Sequence, residues 1–247
     1  MKHSTSYFLA AIAIAFVASC STTTFGHRDP NCNPDERLAK LWQHYLDCKA
    51  GHIPDGQDAQ VLFDCDRVLT DLERLALEFP RHPPTLMANA VVAYDAHEYP
   101  KAESYLDDVL AIEPIDPEAA ILKSRISIES GNLPSAKRLL EEQVHLTPDH
   151  AALREAYSAA LFMAGDLGAA SAQLDAAERL GAPVWRVDFN RGLIAEKAGD
   201  VRKAQQAFEA SVAANPDFKP AQSRLAGRKA ENGYNANPSP PGKTGGL

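Results

Sequence analysis

An apolar pattern recurs at a fixed interval along this chain, and the interval limits the fold more than any other feature. Four segments contain an alanine that is followed, four positions later, by a large apolar residue. A turn sequence precedes each segment, as in GNLP at 131–134 and GDVR at 199–202, and a small residue stands twelve positions before each alanine. The alanines lie 34 residues apart, at Ala102, Ala136, Ala170 and Ala204.

The composition of each unit favours two closely packed helices. Small residues let two helices approach, and the large apolar residue fills the space between neighbouring pairs. Asp166 and Asp200 are placed to N-cap the second helix of their units. Asp116, which precedes Pro117, is placed to N-cap the first helix of the next unit. Aromatic residues are only 7% of the chain, and the long β-branched runs of strands are missing. One helix pair cannot bury its apolar face, so the units must stack into an all-α solenoid.

This pattern resembles the tetratricopeptide repeat (TPR), whose unit of about 34 residues is a helix, a turn and a second helix. Prolines close three units, at Pro114, Pro148 and Pro216. The residues that the family usually has at positions 4 and 11 of the unit are largely replaced, so the repeats are divergent. The resemblance covers residues 83–216 and implies a right-handed superhelix of antiparallel helix pairs. The four units are expected at 83–116, 117–150, 151–184 and 185–218.

Segments on both sides of the repeats continue the helical pattern. Residues 34–82 are expected to form a divergent helix pair. Residues 217–232 are expected to form a capping helix, and residues 233–247 a disordered tail by their composition. One face of the first helix is apolar and comprises Leu38, Leu41, Trp42, Tyr45 and Leu46.

The N-terminus has the layout of an exported protein. Lys2 and His3 precede a run of 12 apolar residues at 7–18, which is shorter than the roughly 20 residues of a membrane-spanning helix. A short positive start, a short apolar run and small residues at its end are typical of a secretory signal peptide, here residues 1–19.

The sequence VASC at 17–20 resembles a bacterial lipobox. In that family the signal is cut before the cysteine, which then carries acyl chains, and two or more chains hold a protein stably on a bilayer. The resemblance implies a lipid on Cys20 and a flexible tether over residues 20–33. The residue after the cysteine is Ser21 and not Asp, a pattern similar to that of lipoproteins sorted to the outer membrane of Gram-negative bacteria. We therefore expect the protein on the outer membrane, facing the periplasm. The alternative is a plain signal peptide with a coincidental cysteine.

Three more cysteines follow, and an oxidising compartment favours disulfides. Cys32 and Cys48 are separated mostly by one helix, which is too long to let them bond directly. Cys48 lies at the end of that helix and Cys65 near the start of the next, so we favour a Cys48–Cys65 disulfide. The alternative is a metal site that uses His44 and Cys48, but no further ligands have matching spacing.

Signatures of catalysis are missing from the sequence. No Gly-rich phosphate loop, no His-Glu-x-x-His and no Gly-x-Ser-x-Gly motif occurs. The net charge of −8 gives no electrostatic reason to bind nucleic acid. We therefore expect a protein that is not an enzyme and that uses no cofactor, no metal and no small-molecule substrate. An undetected hydrolase is the minor alternative.

The TPR resemblance also implies a binding surface. In the family, the first helix of each pair lines the concave face. The corresponding residues here form an apolar strip with charges along it, and they lack the lysines and asparagines of a chaperone-type carboxylate clamp. The alternative is that some of the apolar residues pack against the capping helix or the tail. The predicted protein-binding groove comprises Met87, Tyr94, Arg125, Ile128, Glu129, Glu155, Phe162, Met163, Arg186, Phe189 and Leu193.

Together these features predict a scaffold that binds other proteins and contacts the membrane only through its lipid anchor. Similar small TPR lipoproteins act as assembly factors for pili, secretion pores or cell-wall enzymes. The resemblance therefore implies partners among the assembly components of the cell envelope. An accessory regulator of a peptidoglycan enzyme is the alternative.

Overall fold

The structure, a computed structural model, describes residues 33–51 and 65–235, and these residues form eleven helices and no strand. The helices are α1 (Pro34–Ala50), α2 (Cys65–Glu78), α3 (Pro83–Asp95), α4 (Tyr99–Ile112), α5 (Pro117–Glu129), α6 (Leu133–Leu146), α7 (Ala151–Ala164), α8 (Leu167–Arg179), α9 (Val184–Lys197), α10 (Val201–Ala214) and α11 (Lys219–Asn235). The predicted all-α fold is confirmed. Among the described residues, no helix is long and apolar enough to cross a membrane.

Helices α3 to α10 form four pairs that stack one on the next. In each pair the two helices pack together, and α4, α6 and α8 also pack against the first helix of the following pair. The second helices start at residues 99, 133, 167 and 201, so each starts 34 residues after the one before. The first helices start at residues 83, 117, 151 and 184, so helix α9 starts one position early in the 34-residue frame, with Pro183 as its N-cap residue. The architecture is a solenoid of helix pairs.

Side-chain caps start the helices where the sequence predicts them. Asp116 accepts a hydrogen bond from the backbone N–H of Ala119 at 2.9 Å, which satisfies a free amide at the start of α5. Asp166 and Asp200 do the same for α8 and α10. Gly165 ends α7 with φ of 87°, a left-handed conformation that residues with a Cβ rarely adopt. The predicted caps are confirmed.

The repeated small residues lie where the two helices of a pair touch. The four alanines of the 34-residue pattern are fully buried. In the third pair, the Ser158 hydroxyl of α7 donates to the carbonyl of Ala170 in α8 at 2.7 Å. Such a short link between a side chain and the neighbouring backbone requires that the two helices approach closely.

Helices α1 and α2 form a further pair before the repeats. A disulfide joins Cys48 and Cys65, with their Cα atoms 5.9 Å apart, and this is the pair that the sequence favours. Leu72 and Leu75 of α2 are fully buried, and the Asn89 side chain of α3 donates to the Leu72 carbonyl at 3.0 Å. The pair therefore continues the stack rather than standing apart from it.

The other end of the solenoid is covered by Phe218 and α11. The ring of Phe218 lies 4.6 Å from that of Trp185 and 5.0 Å from that of Phe189, between centroids, and Ala221 is fully buried. Helix α11 reaches Asn235, three residues into the segment expected to be a tail.

Several predictions concern residues that lie outside the described part of the chain. These are the signal peptide, the lipid on Cys20, the tether, and the remainder of the tail at 236–247.

Candidate binding cleft

An open cleft of about 320 Å³ lies between α1, α3 and α5, the first helices of the first three pairs. We call it the N-terminal cleft. Its lining residues are Leu38, Trp42, Tyr45, Leu46 and Lys49 of α1; Pro83, Pro84, Met87, Ala88, Val91, Tyr94 and Asp95 of α3; and Glu113, Asp116, Glu118, Ile121, Leu122 and Arg125 in or just before α5.

The middle of the cleft is apolar and only partly covered. Trp42, Met87 and Val91 are half-buried, and Leu46 is 38% exposed. The Trp42 ring lies 5.2 Å from that of Tyr45, between centroids, which fixes it along the α1 wall. An apolar surface of this kind gains free energy when another apolar group removes it from water.

Polar contacts hold the α1 wall at both ends of the cleft. At one end, Nε2 of His82 lies 3.0 Å from Oδ1 of Asp35. At the other, the Tyr45 hydroxyl donates to Oδ2 of Asp95 at 2.6 Å, and Lys49 forms an ion pair with the same carboxylate. Burial and the hydrogen bond to Asp95 raise the pKa of Tyr45, so the phenol remains a donor at neutral pH.

Carboxylates dominate the end of the cleft where α3 and α5 begin. Glu113, Asp116 and Glu118 line this end. Asp116 is engaged as the cap of α5, and Oε1 of Glu118 lies 3.2 Å from Nε2 of His150. Glu113 is exposed and forms no ion pair with any described residue. This end of the cleft is therefore acidic.

The opposite end has balanced charges. The Arg125 guanidinium lies 6.0 Å from the centroid of the Tyr94 ring, and the Tyr94 hydroxyl donates to Oε1 of Glu129 at 2.7 Å. Burial and the hydrogen bond to Glu129 raise the pKa of Tyr94 to about 12. The Lys49–Asp95 ion pair lies at the same end, so this end contains both signs of charge. The cleft is acidic at one end only.

Four of the predicted groove residues belong to this cleft or support it. Met87, Tyr94 and Arg125 line it, and Glu129 holds the Tyr94 hydroxyl. These residues come from the first two predicted units, and the structure adds α1 as a third wall. The predicted residues of the later units lie elsewhere.

Three of the remaining predicted residues, Glu155, Arg186 and Phe162, form an ion pair or a cation–π contact with a neighbouring helix. Glu155, 9% exposed, forms a two-pronged ion pair with Arg186, which joins α7 to α9. The Lys197 ammonium lies 4.6 Å from the centroid of the Phe162 ring and donates to the Phe162 carbonyl at 2.6 Å. These contacts tie neighbouring repeats together.

Phe189 was predicted to face the groove, with packing against the capping segment as the alternative, and the structure shows the packed arrangement. Its ring centroid lies 5.8 Å from that of Phe208 and 5.0 Å from that of Phe218. Phe189 of α9, Phe208 of α10 and Phe218, which precedes α11, therefore form an aromatic cluster at the C-terminal end, with Phe208 fully buried and the other two rings half-buried. Of the other predicted residues, Ile128 and Leu193 are half-buried and Met163 is 49% exposed.

The α1 wall is the part of the cleft that the sequence-based groove omitted. Leu38, Trp42 and Leu46 were recognised as one apolar helix face, but such a face is equally expected for a side that is fully buried. The TPR positions used to predict the groove applied only to the four regular units. The apolar face of α1 was visible in the sequence, but an apolar face alone does not show whether it lines a core or an open cleft.

The side chains near the disulfide give no metal site. Cys48 is bonded to Cys65, so its sulfur is not a thiolate ligand for a site with His44. Among the described residues, no group of three or more His, Cys, Asp or Glu could hold a metal ion.

Fold and cleft together define a TPR-type α-solenoid with an apolar cleft at its N-terminal end. Solved structures of TPR proteins share the fold. A thermophilic TPR protein from Thermus thermophilus is 17% identical, with a TM-score of 0.62 over 80% of this chain and 100% of that chain. YrrB, described as a TPR protein with an unusual peptide-binding site, is 14% identical, with a TM-score of 0.53 over 80% of this chain and 94% of that one.

A TPR protein from Parabacteroides merdae is 19% identical, with a TM-score of 0.55 over 78% of this chain and 79% of that chain. At these identities the likeness shows the fold alone. The sequence matches no protein-family model and no curated protein.

Proposed function

We propose that this protein is a scaffold that binds a segment of another protein in the N-terminal cleft. The observation that carries the proposal is the partly exposed apolar surface of Trp42, Leu46, Met87 and Val91 between charged ends. An exposed apolar patch rimmed by polar residues typically marks a protein-binding site, and Trp and Tyr are frequent anchors in such sites. The peptide-binding site described for YrrB is a precedent for this use of the fold.

We further propose that the scaffold is held at the membrane by acyl chains on Cys20. The lipobox-like sequence supports this, and the 13 residues at 21–33 would keep the solenoid within about 45 Å of the bilayer even when fully extended. In this proposal the protein faces the periplasm from the outer membrane. It would assist the assembly of an envelope machine such as a pilus, a secretion pore or the cell-wall apparatus.

The cleft proposal is tested by placing the same charge inside and outside the cleft. Leu46→Asp puts a carboxylate in the apolar surface, and Leu77→Asp puts one on α2, where the side chain is 82% exposed. We expect the wild type and Leu77→Asp to recover the same partner from envelope extracts, and Leu46→Asp to lose it at a nearly unchanged Tm. Equal recovery by all three proteins would exclude the cleft as the binding site.

The anchor proposal is tested by Cys20→Ala. The variant should no longer fractionate with membranes as a mature protein, because the thiol that accepts the lipid is gone. A variant that still requires detergent and is still shortened at its N-terminus would show that the lipobox interpretation is wrong.

A further inference from the structure

We propose that the natural occupant of the N-terminal cleft is a short, extended apolar segment with a lysine or arginine at the end that faces Glu113 and Glu118. This inference rests on the proposed binding function and adds the length, conformation and charge of the ligand. Each of the three properties follows from a feature of the cleft.

The length follows from the helices that form the walls. Along α3, the lining residues run from Pro83 to Asp95, which is a span of about 18 Å at 1.5 Å per residue. An extended chain advances about 3.3 Å per residue. A segment of about five residues therefore reaches from the acidic end of the cleft to Arg125.

The conformation follows from the short span. A helix that covers about 18 Å has only about 12 residues, and an isolated helix of about 12–15 residues or fewer is marginal in water. An extended segment covers the same distance without that cost. An extended segment directs alternate side chains to one side, so two or three apolar side chains would fill the space between Trp42, Met87 and Val91.

The charge follows from the asymmetry of the two ends. At the end near Arg125 both signs of charge are present, since Lys49 is paired with Asp95 and Glu129 accepts from the Tyr94 hydroxyl. At the other end, Asp116 already satisfies the start of α5 and offsets the positive end of its helix dipole. Glu118 also contacts His150, whereas Glu113 has no ion pair with a described residue, and its carboxylate leaves a negative charge beside the apolar surface. A cationic residue at that end of the ligand gives electrostatic complementarity, and an acidic one gives repulsion.

The test uses three fluorescent hexapeptides that share five apolar residues and end in Lys, Gln or Glu. Peptides of this length are too short to form a stable helix. Binding to the full mature chain in detergent is measured by fluorescence anisotropy. We expect the Lys peptide to bind about threefold to tenfold more tightly than the Glu peptide at low salt, and this ratio to shrink at high salt.

A charge reversal in the protein completes the test. Glu113→Lys should abolish the preference for the Lys peptide over the Glu peptide, because the new ammonium offsets the carboxylate of Glu118. The matched control is Glu142→Lys, which changes the net charge equally on α6, where Glu142 is exposed and does not line the cleft. The control should keep the wild-type preference.

The outcomes separate this inference from the proposed function. If all three peptides bind equally and Leu46→Asp abolishes their binding, the cleft binds apolar segments and the inferred charge is wrong. If the hexapeptides fail and a 15-residue helical peptide with the same Lys binds, the extended conformation is wrong. Tighter peptide binding after deletion of residues 236–247 would make this chain's own C-terminus the occupant. A dimer of the protein that Leu46→Asp dissociates would show that a second copy of this chain occupies the cleft.

Discussion

Among single residues, Gly192 of α9 shows why small side chains recur in this chain. A Cβ on Gly192 would lie 2.6 Å from Cδ1 and 2.9 Å from Cζ of Phe208, a fully buried ring. In the other units the same place is taken by Ala90, Ser124 and Ser158, all 2% exposed or less. The pattern could be recognised in the sequence because the close helix contact excludes larger side chains.

Two glycine substitutions test this contact. Gly192→Ala should lower the free energy of unfolding by about 1–3 kcal/mol, because the new methyl group overpacks a filled contact. Gly168→Ala, in the first turn of α8, meets nothing closer than Asp166 Oδ1 at 4.0 Å and should be neutral or stabilising by up to about 1 kcal/mol. Urea unfolding of both variants measures the difference. Equal effects would show that the Gly192 contact is not tight.

The cleft residues were harder to predict than the contact residues. The position of a residue in the repeat predicts whether its side chain on a first helix points away from the second helix of the same pair. It does not predict whether another segment of the chain covers that side chain. Phe189 has the predicted position, and Phe218 from outside the regular units packs against its ring. Tyr94 and Arg125 remained in an open cleft because α1 forms a separate wall there.

Among pairs of elements, α8 and α9 show how charged side chains join successive repeats. Arg191 of α9 donates to Asp175 at 2.7 Å and to Glu178 at 2.6 Å, both on α8. The hydrogen bond from Arg191 holds the pKa of Glu178 below its usual value, although burial opposes this. Asp188 of α9 lies 3.7 Å from the same guanidinium. Burial raises the pKa of Asp188, although the charge of Arg191 lowers it.

The lowered pKa of Glu178 predicts a pH dependence. A carboxylate whose pKa is depressed in the folded state stabilises the fold above its unfolded pKa, and that contribution is lost as the pH falls through the folded value. The wild type should therefore lose stability below about pH 4.3 more steeply than Glu178→Gln. Thermal unfolding at a series of pH values measures this. Glu142→Gln, which removes an exposed carboxylate without a described ion pair, should follow the wild type. A Glu178→Gln curve parallel to the wild type would contradict the assignment.

The helices themselves were largely predictable, because their starts depend on local chemistry. Asp116, Asp166 and Asp200 cap the helices expected from them. The C-terminal helix was not delimited as well. The composition after residue 232 favours disorder, but helix α11 continues through Asn232 and Gly233 to Asn235.

In the whole molecule, each helix pair contacts its neighbours, so local damage should stay local. The Cys48–Cys65 disulfide connects the end of α1 to the start of α2 across 17 positions. Closing a loop of this length stabilises a fold by about 3 kcal/mol in the chain-entropy model. The disulfide therefore supports the cleft through its α1 wall and leaves the later repeats to their own contacts.

Replacing both cysteines by serine tests this locality. Hydrogen exchange should become faster in α1 and α2, and apolar peptides should bind the cleft more weakly. Exchange in α7 to α10 should change little, because these helices are several pairs away. Faster exchange along the entire solenoid would show that the molecule unfolds as one unit and that the disulfide has no specific effect on the cleft.

The central claim is that the N-terminal cleft holds a segment of another protein, and a site-specific cross-link tests it most directly. A photoreactive benzoylphenylalanine replaces Met87, which lines the cleft, or Glu142, on the exposed face of α6, and cells are irradiated before their envelopes are analysed by mass spectrometry. We expect a cross-link from position 87 to an apolar segment of one envelope protein, its loss when Leu46→Asp is added, and no such product from position 142. A partner that cross-links from position 142 and not from position 87 would contradict the account.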